Sequence, residues 1–288
     1  MTQTLRIYEP RIDANTSKMD VGGQTIKATN TITGLLYGLS NHESDQAREY
    51  YFWRLCDELW NNADLPEPLM VKHPWAESMI QAVIKNKYVS IGGAASSGKS
   101  HTMAAWGILN WLAAPKDTLV LLTSTTLREA RKRIWGSVIS LLTVLDGAPF
   151  KIRDSIGNVA YINENGTLIE KAGLSLIAAE RSKTREAIGK FIGIKQKNVI
   201  LIADELSELS TAILQAGLSN LSKNPSFSLV GLSNPASRWD AFGEWSEPAQ
   251  GWDSIDPNTE DSWKTKWGGI YKKYDGEYSP NILAGRTI

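Results

Sequence analysis

The chain has 288 residues, of which 42% are apolar and 22% charged, so it can bury a sizeable core in one large or two modest domains, and disorder over most of its length is excluded. Its 31 basic residues balance its 31 acidic residues, which excludes binding to nucleic acid through overall charge alone. The single cysteine, Cys56, excludes an internal disulfide and a cysteine-based zinc site. No apolar run reaches the length of a signal-peptide core or a membrane span, so a soluble intracellular protein without a membrane partner is expected.

The N-terminal part of the chain predicts an irregular lead followed by two helices. Residues 1 to about 42 are rich in Thr, Asn, Gly and Ser and show no sustained period, which is typical of irregular or short-stranded chain. Apolar residues at a spacing of four then predict an amphipathic helix over residues 43–63. Prolines interrupt the helical pattern after it, and a second helix is predicted over residues 75–86.

From residue 87 onward, short apolar runs alternate with helical stretches, which predicts an α/β fold: a parallel sheet with helices on both faces. The runs are KYVSIGG, DTLVLLTST, LSLIAAE, NVILIADE and SFSLVGLSN, and their lack of polar alternation indicates strands buried on both faces. Helices are predicted over residues 101–114, 127–145 and 207–221. The exception is NVAYINENGTLIEK, where Asn165-Gly166 between two alternating runs predicts a type I′ hairpin inserted at the sheet edge.

The segment from Trp239 onward is polar and turn-rich, yet it contains five of the eleven tryptophans. These are Trp239, Trp245, Trp252, Trp263 and Trp267. The rings either pack back on the core, which is the favoured interpretation, or meet a partner or domain outside this chain.

The segment from Gly93 to Ser100 has the pattern G-x-x-x-x-G-K-[ST] of a phosphate-binding loop, the Walker A motif. It follows the run KYVSIGG and opens the helix that begins near His101, which is the context this loop requires. The glycines let backbone amides curl around phosphates, Lys99 bridges the β- and γ-phosphates of ATP, and the Ser100 hydroxyl binds Mg²⁺. The predicted nucleotide-binding residues are Gly93, Ala94, Ala95, Ser96, Ser97, Gly98, Lys99, Ser100 and His101.

Two further strands end in polar residues that suit the same site. The run VILIADE ends in Asp204, predicted to hold Mg²⁺ through water, and in Glu205, predicted to polarise the attacking water as general base. The run SFSLVGLSNP ends in Ser233 and Asn234, predicted to point toward the γ-phosphate, because ligands lie beyond the carboxyl ends of parallel strands. The strand that ends at Asn234 is predicted to lie between the other two. An Asn-Pro turn without function is the equally weighted alternative.

Two other features allow a functional and a purely structural interpretation. The strand end TSTT opens a helix that either contacts DNA phosphates or, in the favoured interpretation, presents a solvated basic face. Its basic residues are Arg128, Arg131, Lys132 and Arg133. Trp75, about a helix length before the P-loop strand, either lies against the adenine base or is a core residue.

Together these landmarks resemble the ATPase domain of the large terminase subunit, the genome-packaging motor of tailed double-stranded DNA phages. The resemblance covers residues 72–288 and depends on the Walker A loop, the TSTT strand end with its Arg-rich helix, the Walker B strand VILIADE, and LSNP as the coupling motif. It implies a P-loop ATPase that uses ATP and Mg²⁺ to drive double-stranded DNA into a procapsid in the host cytoplasm. It also implies three protein partners: the portal protein, the small terminase subunit, and further copies of this chain in a homo-oligomeric ring.

The resemblance implies three parts of the chain: a lead with a lid helix over residues 1–70, the P-loop core over residues 71–240, and a tail over residues 241–288. Large terminases continue into a nuclease domain with clustered metal-binding aspartates. The closing stretch DGEYSPNILAG resembles the junction before that domain, and no such aspartate cluster follows it in this sequence. An ATPase domain without its nuclease is therefore expected.

Two departures from the family pattern concern base recognition and charge neutralisation. Many members place a Gln shortly after the proline upstream of the P-loop, where this chain has Glu77. Many also carry an Arg inside the P-loop, where this chain has AASS. The resemblance therefore points to Arg181 or Arg185 as an arginine that reaches the nucleotide of a neighbouring subunit. Pairing of these arginines with nearby glutamates is the structural alternative.

Two other functions stay open on the sequence. A nucleic-acid helicase shares strand ends such as TSTT, ADE and SNP, but it needs a second RecA-like domain, for which the residues after Glu205 are too few and too polar. A non-hydrolysing nucleotide-binding or assembly module is the second alternative. Such a module has no need for a carboxylate that polarises water, so Glu205 argues against it.

Overall fold

The apolar runs of the sequence form the strands of one central sheet. The structure is a computed structural model that describes residues 17–21, 24–28, 32–41, 44–145, 148–163, 165–179, 184–189 and 191–279. Its strands in chain order are β1 (Ser17–Val21), β2 (Gln24–Ala28), β3 (Tyr88–Gly93), β4 (Thr118–Ser124), β5 (Phe150–Arg153), β6 (Asn158–Ile162), β7 (Leu168–Ala178), β8 (Asn198–Ala203), β9 (Phe227–Ser233), β10 (Ser262–Lys264) and β11 (Ile270–Tyr274).

The helices precede, follow and connect these strands. They are α1 (Ile32–Asn41), α2 (Asp45–Trp60), α3 (Pro74–Lys85), α4 (Lys99–Ala113), α5 (Leu127–Lys132), α6 (Ile134–Thr143), α7 (Thr184–Gly189), α8 (Thr211–Leu221) and α9 (Ala241–Ser246). None of the described helices combines the length and the apolarity that crossing a bilayer requires.

Nine of the described strands pair in the order β10–β11–β3–β9–β8–β4–β7–β6–β5. The six strands from β11 to β7 in this order are mutually parallel, whereas β10, β6 and β5 are antiparallel to their neighbours. The predicted α/β fold is therefore confirmed. The predicted strand order is confirmed as well, because β9 lies between β3 and β8, and the ends of these three strands meet at one edge of the sheet.

The central strands lack polar alternation because helices cover both of their faces. Along β8, Leu201 belongs to one apolar cluster, whereas its neighbours Ile200 and Ile202 belong to the other. One cluster contains buried side chains of α1 to α4 and α6, and the other contains those of α8 and α9. A strand buried in this way needs apolar residues at every position, which is the pattern that the sequence shows.

Helices α2 and α3 confirm the two predicted helices within a few residues at each end. Ser44 caps α2 by accepting a hydrogen bond from the Ala47 amide, and α3 begins at Pro74, where a missing N–H costs nothing. The prediction of an irregular or short-stranded lead is correct for β1 and β2 and wrong for α1. Buried Leu35 and Leu36 pack α1 onto the first cluster, so tertiary contacts form a helix where the local sequence has no clear period.

A hairpin joins β6 to β7, but its turn is not the predicted type I′ turn over Asn165-Gly166. The Gly166 amide donates to the Asn163 carbonyl at 2.9 Å, so Gly166 closes the turn and is not one of its two central residues. Gly166 has a φ of +74°, whereas Asn165 lacks the positive φ that a type I′ turn needs. Asn163 stabilises the turn by accepting hydrogen bonds from the amides of Asn165 and Thr167. The second arm runs on into the parallel part of β7, so the hairpin extends a core strand.

Two predicted helices are divided or shortened. The segment expected as one helix over residues 127–145 forms α5 and α6, because Arg133 has a φ of −116° and a ψ of −108°, which cannot continue a helix. Gly136 permits the tight junction, since a Cβ there would lie 2.6 Å from the Arg131 carbonyl oxygen. Helix α8 begins later than predicted, where Ser210 caps it.

The segment predicted to be a polar, turn-rich tail adds two strands to the sheet. β11 pairs with β3 in parallel, and β10 pairs with β11. Trp245 and Trp263 are buried, and Trp252 and Trp267 pack against the second cluster, so the prediction that these rings return to the core is confirmed for four of the five. Trp239 is 81% exposed.

Candidate functional site

The first part of the site is the loop between β3 and α4. Ser96 and Gly98 adopt left-handed conformations, with φ values of 59° and 80°, so the chain turns sharply into the first turn of α4. Such a φ strains a residue that carries a Cβ, and strain of this kind concentrates at functional sites. Left-handed turns also let successive backbone amides face one anion. The loop therefore has a backbone form in which successive amides can face an anion.

The Lys99 ammonium lies inside this loop. Its Nζ donates to the carbonyl oxygens of Gly93 and Ala94, both at 2.8 Å, and to Ser97 Oγ at 3.1 Å. A fourth hydrogen bond, of 3.1 Å, reaches Asn234 Oδ1 beyond the end of β9. Burial lowers the pKa of Lys99 to about 8, although the nearby carboxylates favour its charged form. The predicted proximity of Asn234 to Lys99 is therefore confirmed.

Ser100 and Asp204 form the second part of the site. Ser100 Oγ donates to Asp204 Oδ1 at 2.9 Å, which joins the first turn of α4 to the end of β8. Asp204 is 1% exposed, and its Oδ2 has no hydrogen-bond partner among the described residues. Burial raises the pKa of Asp204 to about 6, because the charged form loses its hydration. A buried carboxylate beside a hydroxyl offers oxygen ligands of the kind that Mg²⁺ prefers.

Glu205 and Arg133 form the third part. Glu205 has a left-handed φ of 53°, and its Oε1 lies 2.7 Å from Arg133 Nη1. The contact is ionic, because the buried Nη1 atom makes no hydrogen bond of good geometry within the described part of the chain. The favoured prediction for Arg133, a solvated basic face, is wrong for this residue. No sequence signal marks the break between α5 and α6 that turns its side chain inward.

The end of β4 adds two buried hydroxyl groups. Thr123 and Ser124 are fully buried, and neither hydroxyl has a hydrogen-bond partner among the residues that the structure describes. The Asp204 amide donates to the Thr123 carbonyl at 2.9 Å, so these residues adjoin the carboxylates. Buried hydroxyls are nearly always paired, and the exceptions often mark functional sites.

The coupling segment divides between the site and the core. Ser233 does not face the P-loop: its Oγ donates to Ser207 Oγ at 2.7 Å and accepts from the Ser207 amide at 3.2 Å. Successive side chains of a strand point to opposite faces, so only one of Ser233 and Asn234 can reach Lys99. The prediction that both point toward a γ-phosphate is wrong for Ser233.

Trp75 and His101 lie beside the loop in different ways. The half-buried Trp75 ring packs against Tyr274, with centroids 5.5 Å apart. The Tyr274 carbonyl accepts a hydrogen bond from the Ala94 amide at 3.2 Å, so Trp75 is one residue removed from the loop. A ring nitrogen of His101 lies 2.7 Å from the Leu69 carbonyl, so this side chain contacts the α2–α3 connection rather than the loop.

Arg185 and Glu77 lie away from these contacts. Arg185 is exposed on α7, which follows β7, and β4 separates β7 from β8. It forms no ion pair with another described residue. Arg181 lies outside the described residues. Glu77, which stands where the resemblance noted in the sequence places an adenine-reading Gln, forms a 2.9 Å ion pair with Lys72.

Solved structures that share this fold include the large terminase ATPase domain of Thermus phage P74-26. That domain gives a TM-score of 0.50 at 15% identity, with 76% of this chain and 83% of that chain covered. A mutant of the same domain gives 0.51 at 14% identity, with 76% and 84% covered. The large terminase of another thermophilic bacteriophage, in complex with ADP, gives 0.42 at 14% identity; the match covers 54% of this chain, which spans only 36% of that protein. No protein-family model matches the chain, and no curated protein matches its sequence.

Proposed function

We propose that the chain is the ATPase of a motor that packages double-stranded viral DNA, of the large terminase type. The observation that carries the proposal is the meeting of three strand ends: Lys99 contacts Asn234, and Ser100 contacts Asp204. A lysine for phosphate, a coupling amide and a carboxylate pair are thus within reach of one ligand. The fold shared with a large terminase ATPase domain supports the packaging role.

In the proposed reaction, ATP lies with its β- and γ-phosphates along the loop from Gly93 to Ser100. Lys99 exchanges its carbonyl acceptors for phosphate oxygens. Glu205 accepts a proton from the attacking water, whose oxygen bonds to the γ-phosphorus. The bond between the γ-phosphorus and the β,γ-bridging oxygen breaks, which leaves ADP and inorganic phosphate. Asn234 senses the change through its hydrogen bond with Lys99 and relays it along β9.

Ser100 and Asp204 are the residues that would hold Mg²⁺. The fit depends on the buried Asp204 Oδ2, which has no partner among the described residues, and on the adjacent Ser100 hydroxyl. The described part of the chain contains no group of three or more His, Cys, Asp or Glu side chains that could hold a metal, so the other ligands would be phosphate and water oxygens. When bound, the ion neutralises charge on the phosphates.

The test is ATP turnover by the chain, with and without duplex DNA. We expect phosphate release that Lys99→Ala and Glu205→Gln abolish. Glu208→Gln, which changes an exposed glutamate three residues further on, should preserve it. Binding of ATP by the wild-type chain without turnover would favour the non-hydrolysing module. Stimulation by single-stranded but not by duplex DNA would favour a helicase-like ATPase.

The proposal includes a homo-oligomeric ring on the procapsid that contacts the portal protein, the small terminase subunit and double-stranded DNA in the host cytoplasm. Arg185, exposed on α7, and Arg181 are its candidates for an arginine that reaches a neighbouring subunit's nucleotide. A mixture of Arg185→Ala with Glu205→Gln should regain activity, because one subunit keeps a sound catalytic site and the other a sound arginine. A mixture of Arg181→Ala with Glu205→Gln tests Arg181 in the same way, so the two mixtures together show which arginine acts in trans. No recovery with either would remove the trans arginine from the proposal.

A further inference from the structure

Arg133 contacts the proposed catalytic carboxylate although no motif assigns it to the site. It lies between α5 and α6, where its φ of −116° and ψ of −108° interrupt the helix. Its Nη1 lies 2.7 Å from Glu205 Oε1 and is buried without a hydrogen-bond partner in the described part of the chain. Its charge also favours the ionised form of Asp204. The guanidinium therefore acts on both carboxylates at the end of β8.

Stability does not account for this ion pair. The Arg133 and Glu205 side chains are 37% and 21% exposed, and pairs with this much access to water contribute little to folding. Glu205 also holds a left-handed φ of 53°, which is unfavourable for a residue with a Cβ. A carboxylate on a strained backbone, beside a partly exposed guanidinium whose buried Nη1 makes an ionic contact but no hydrogen bond among the described residues, is an arrangement suited to a ligand.

Besides a lysine and Mg²⁺, phosphoryl transfer is accelerated by an arginine at the γ-phosphate. The loop from Gly93 to Ser100 contains Lys99 and no arginine. A guanidinium suits the task, because its planar fork donates two parallel hydrogen bonds to phosphate oxygens. Arg133 adjoins Glu205, and Glu205 in the proposed function lies beside the attacking water and thus beside the γ-phosphate.

We propose that Arg133 is a catalytic arginine that acts in cis: it leaves Glu205 when ATP binds and donates hydrogen bonds to the γ-phosphate oxygens in the transition state. This inference rests on the proposed ATPase function. The same movement frees Glu205 Oε1 to accept the proton of the attacking water. Arg133 forms no covalent bond and transfers no proton. The bond from the water oxygen to the γ-phosphorus forms, and the bond to the bridging oxygen breaks, as in the reaction above.

The kinetic test compares Arg133→Ala with Arg128→Ala, a matched control that removes an exposed arginine from the same basic segment. Without DNA, Arg133→Ala should lower kcat by about 10³-fold and change the KM for ATP by less than about threefold, because the contact forms mainly in the transition state. Arg133→Lys should recover only part of this loss, since it keeps the charge but not the fork. Arg128→Ala should keep the wild-type rate.

Two results would overturn the proposal. One is a kcat for Arg133→Ala equal to that of the control. The other is a kcat above wild type, which would mean that Arg133 only restrains Glu205.

A binding measurement gives a readout that does not depend on turnover. ADP with aluminium fluoride and Mg²⁺ mimics the transferring phosphoryl group. Arg133→Ala should weaken binding of this complex by about 10²-fold or more while ADP alone binds as to wild type. Unchanged binding of both ligands would contradict the proposal. Weaker binding of ADP alone, by the same factor, would also contradict it, because that result indicates a distorted site.

Mixed subunits separate cis from trans action. Arg133→Ala mixed with Glu205→Gln should stay inactive, since neither subunit contains both groups, and recovery would overturn the cis assignment. The wild-type chain distinguishes failure of this inference from failure of the proposed function. If wild type neither hydrolyses ATP nor binds the fluoride complex, both fail. If wild type does both and Arg133→Ala does both equally well, the role of Arg133 alone fails.

Discussion

The tryptophan-rich C-terminal segment and the carboxyl ends of the central strands differ in how they treat buried polar atoms. The indole N–H groups of Trp245, Trp263 and Trp267 each donate to a backbone carbonyl, at 3.0, 2.7 and 3.0 Å. At the strand ends, Asp204 Oδ2 and the Thr123 hydroxyl are buried without a partner among the described residues. These three indoles each have a backbone acceptor within the protein, whereas the strand ends retain groups that a ligand can satisfy.

Backbone strain separates the same two regions. Ser96 and Glu205 are the non-glycine residues with positive φ in the described part of the chain, and both follow strands that meet at the site. Unpaired buried atoms and left-handed residues reduce stability, so they persist only where the surrounding structure enforces them. The C-terminal segment therefore adds to the stability of the sheet. The strand ends reduce that stability, and the groups that reduce it are ones that a ligand can satisfy.

The largest effects should follow from changes at the strand ends, and they should appear in activity. Lys99→Ala should abolish ATP binding, because it removes the charge held against the phosphates. Glu205→Gln should leave ATP bound and lower hydrolysis by about 10²- to 10⁴-fold, since it keeps the shape but removes the base. Nucleotide titration and single-turnover hydrolysis measure the two effects separately. Equal loss of nucleotide binding in both variants would show that Glu205 is structural.

The next largest effect should be on stability and should arise in the C-terminal segment. Trp245→Ala removes a buried ring and leaves the Val89 carbonyl without its donor, so the free energy of unfolding should fall by about 3–5 kcal/mol. Trp239 is the matched control, because it is 81% exposed, and its replacement should change stability by less than about 0.5 kcal/mol. Urea unfolding measures both. Similar losses for the two variants would show that the segment is not integral to the sheet.

The centre of the sheet and the three strand ends were predictable because a few residue types determine them locally. Continuous apolar runs identify strands buried on both faces, and the loop from Gly93 to Ser100 has a spacing that few other structures require. Strand ends of a parallel sheet share one edge, so the approach of Lys99, Asp204 and Asn234 followed from topology.

The features that the sequence did not predict depend on contacts between distant segments. β11 is a strand because it pairs with β3, and its own residues IYKKY show no buried run. Arg133 reaches Glu205 because a backbone break, not a motif, directs its side chain. The turn after β6 begins at Asn163, whose side chain binds two amides, so hydrogen bonds of a single residue outweighed the Asn165-Gly166 signal.

Asp204→Asn should raise stability while it removes activity, with a size that depends on pH. The folded protein raises the pKa of Asp204 from 3.8 to about 6, so the folded state binds the proton more tightly than the unfolded state. The contribution of Asp204 to wild-type stability therefore falls as pH rises from about 4 to about 6 and is constant above, where the ionised buried carboxylate costs about 3 kcal/mol. The amide has no such cost, so the variant should gain up to that amount at pH 8 and nothing at pH 4.

Thermal unfolding at the two pH values, with the exposed Asp253→Asn as control, measures this difference. The control should match wild type at both. If Asp204→Asn is less stable than wild type at pH 8, then ionised Asp204 is well stabilised by Ser100 and its neighbours. Asp204 would then not be one of the groups by which the strand ends differ from the C-terminal segment.

The smallest effect should distinguish the two ends of a single strand. β4 contains a buried threonine near each end: Thr118 accepts a hydrogen bond from the Asn198 side chain at 3.2 Å, whereas the Thr123 hydroxyl has no partner among the described residues. Valine has nearly the same shape as threonine, so the substitution tests the hydroxyl alone. Thr118→Val should lower the free energy of unfolding by about 1 kcal/mol, because it leaves the Asn198 amide unpaired. Thr123→Val should raise the free energy of unfolding by about 1 kcal/mol, because it removes an unsatisfied buried group.

Urea unfolding at neutral pH resolves differences of this size when all variants share the same dependence of unfolding free energy on urea concentration. Loss of stability in both variants would mean that Thr123 is hydrogen-bonded in solution, and the strand ends would then satisfy their hydroxyl groups as fully as the tail satisfies its indoles. Opposite signs would show that stability is lost at the edge where Lys99, Asp204 and Asn234 meet and is retained at the other end of the same strand.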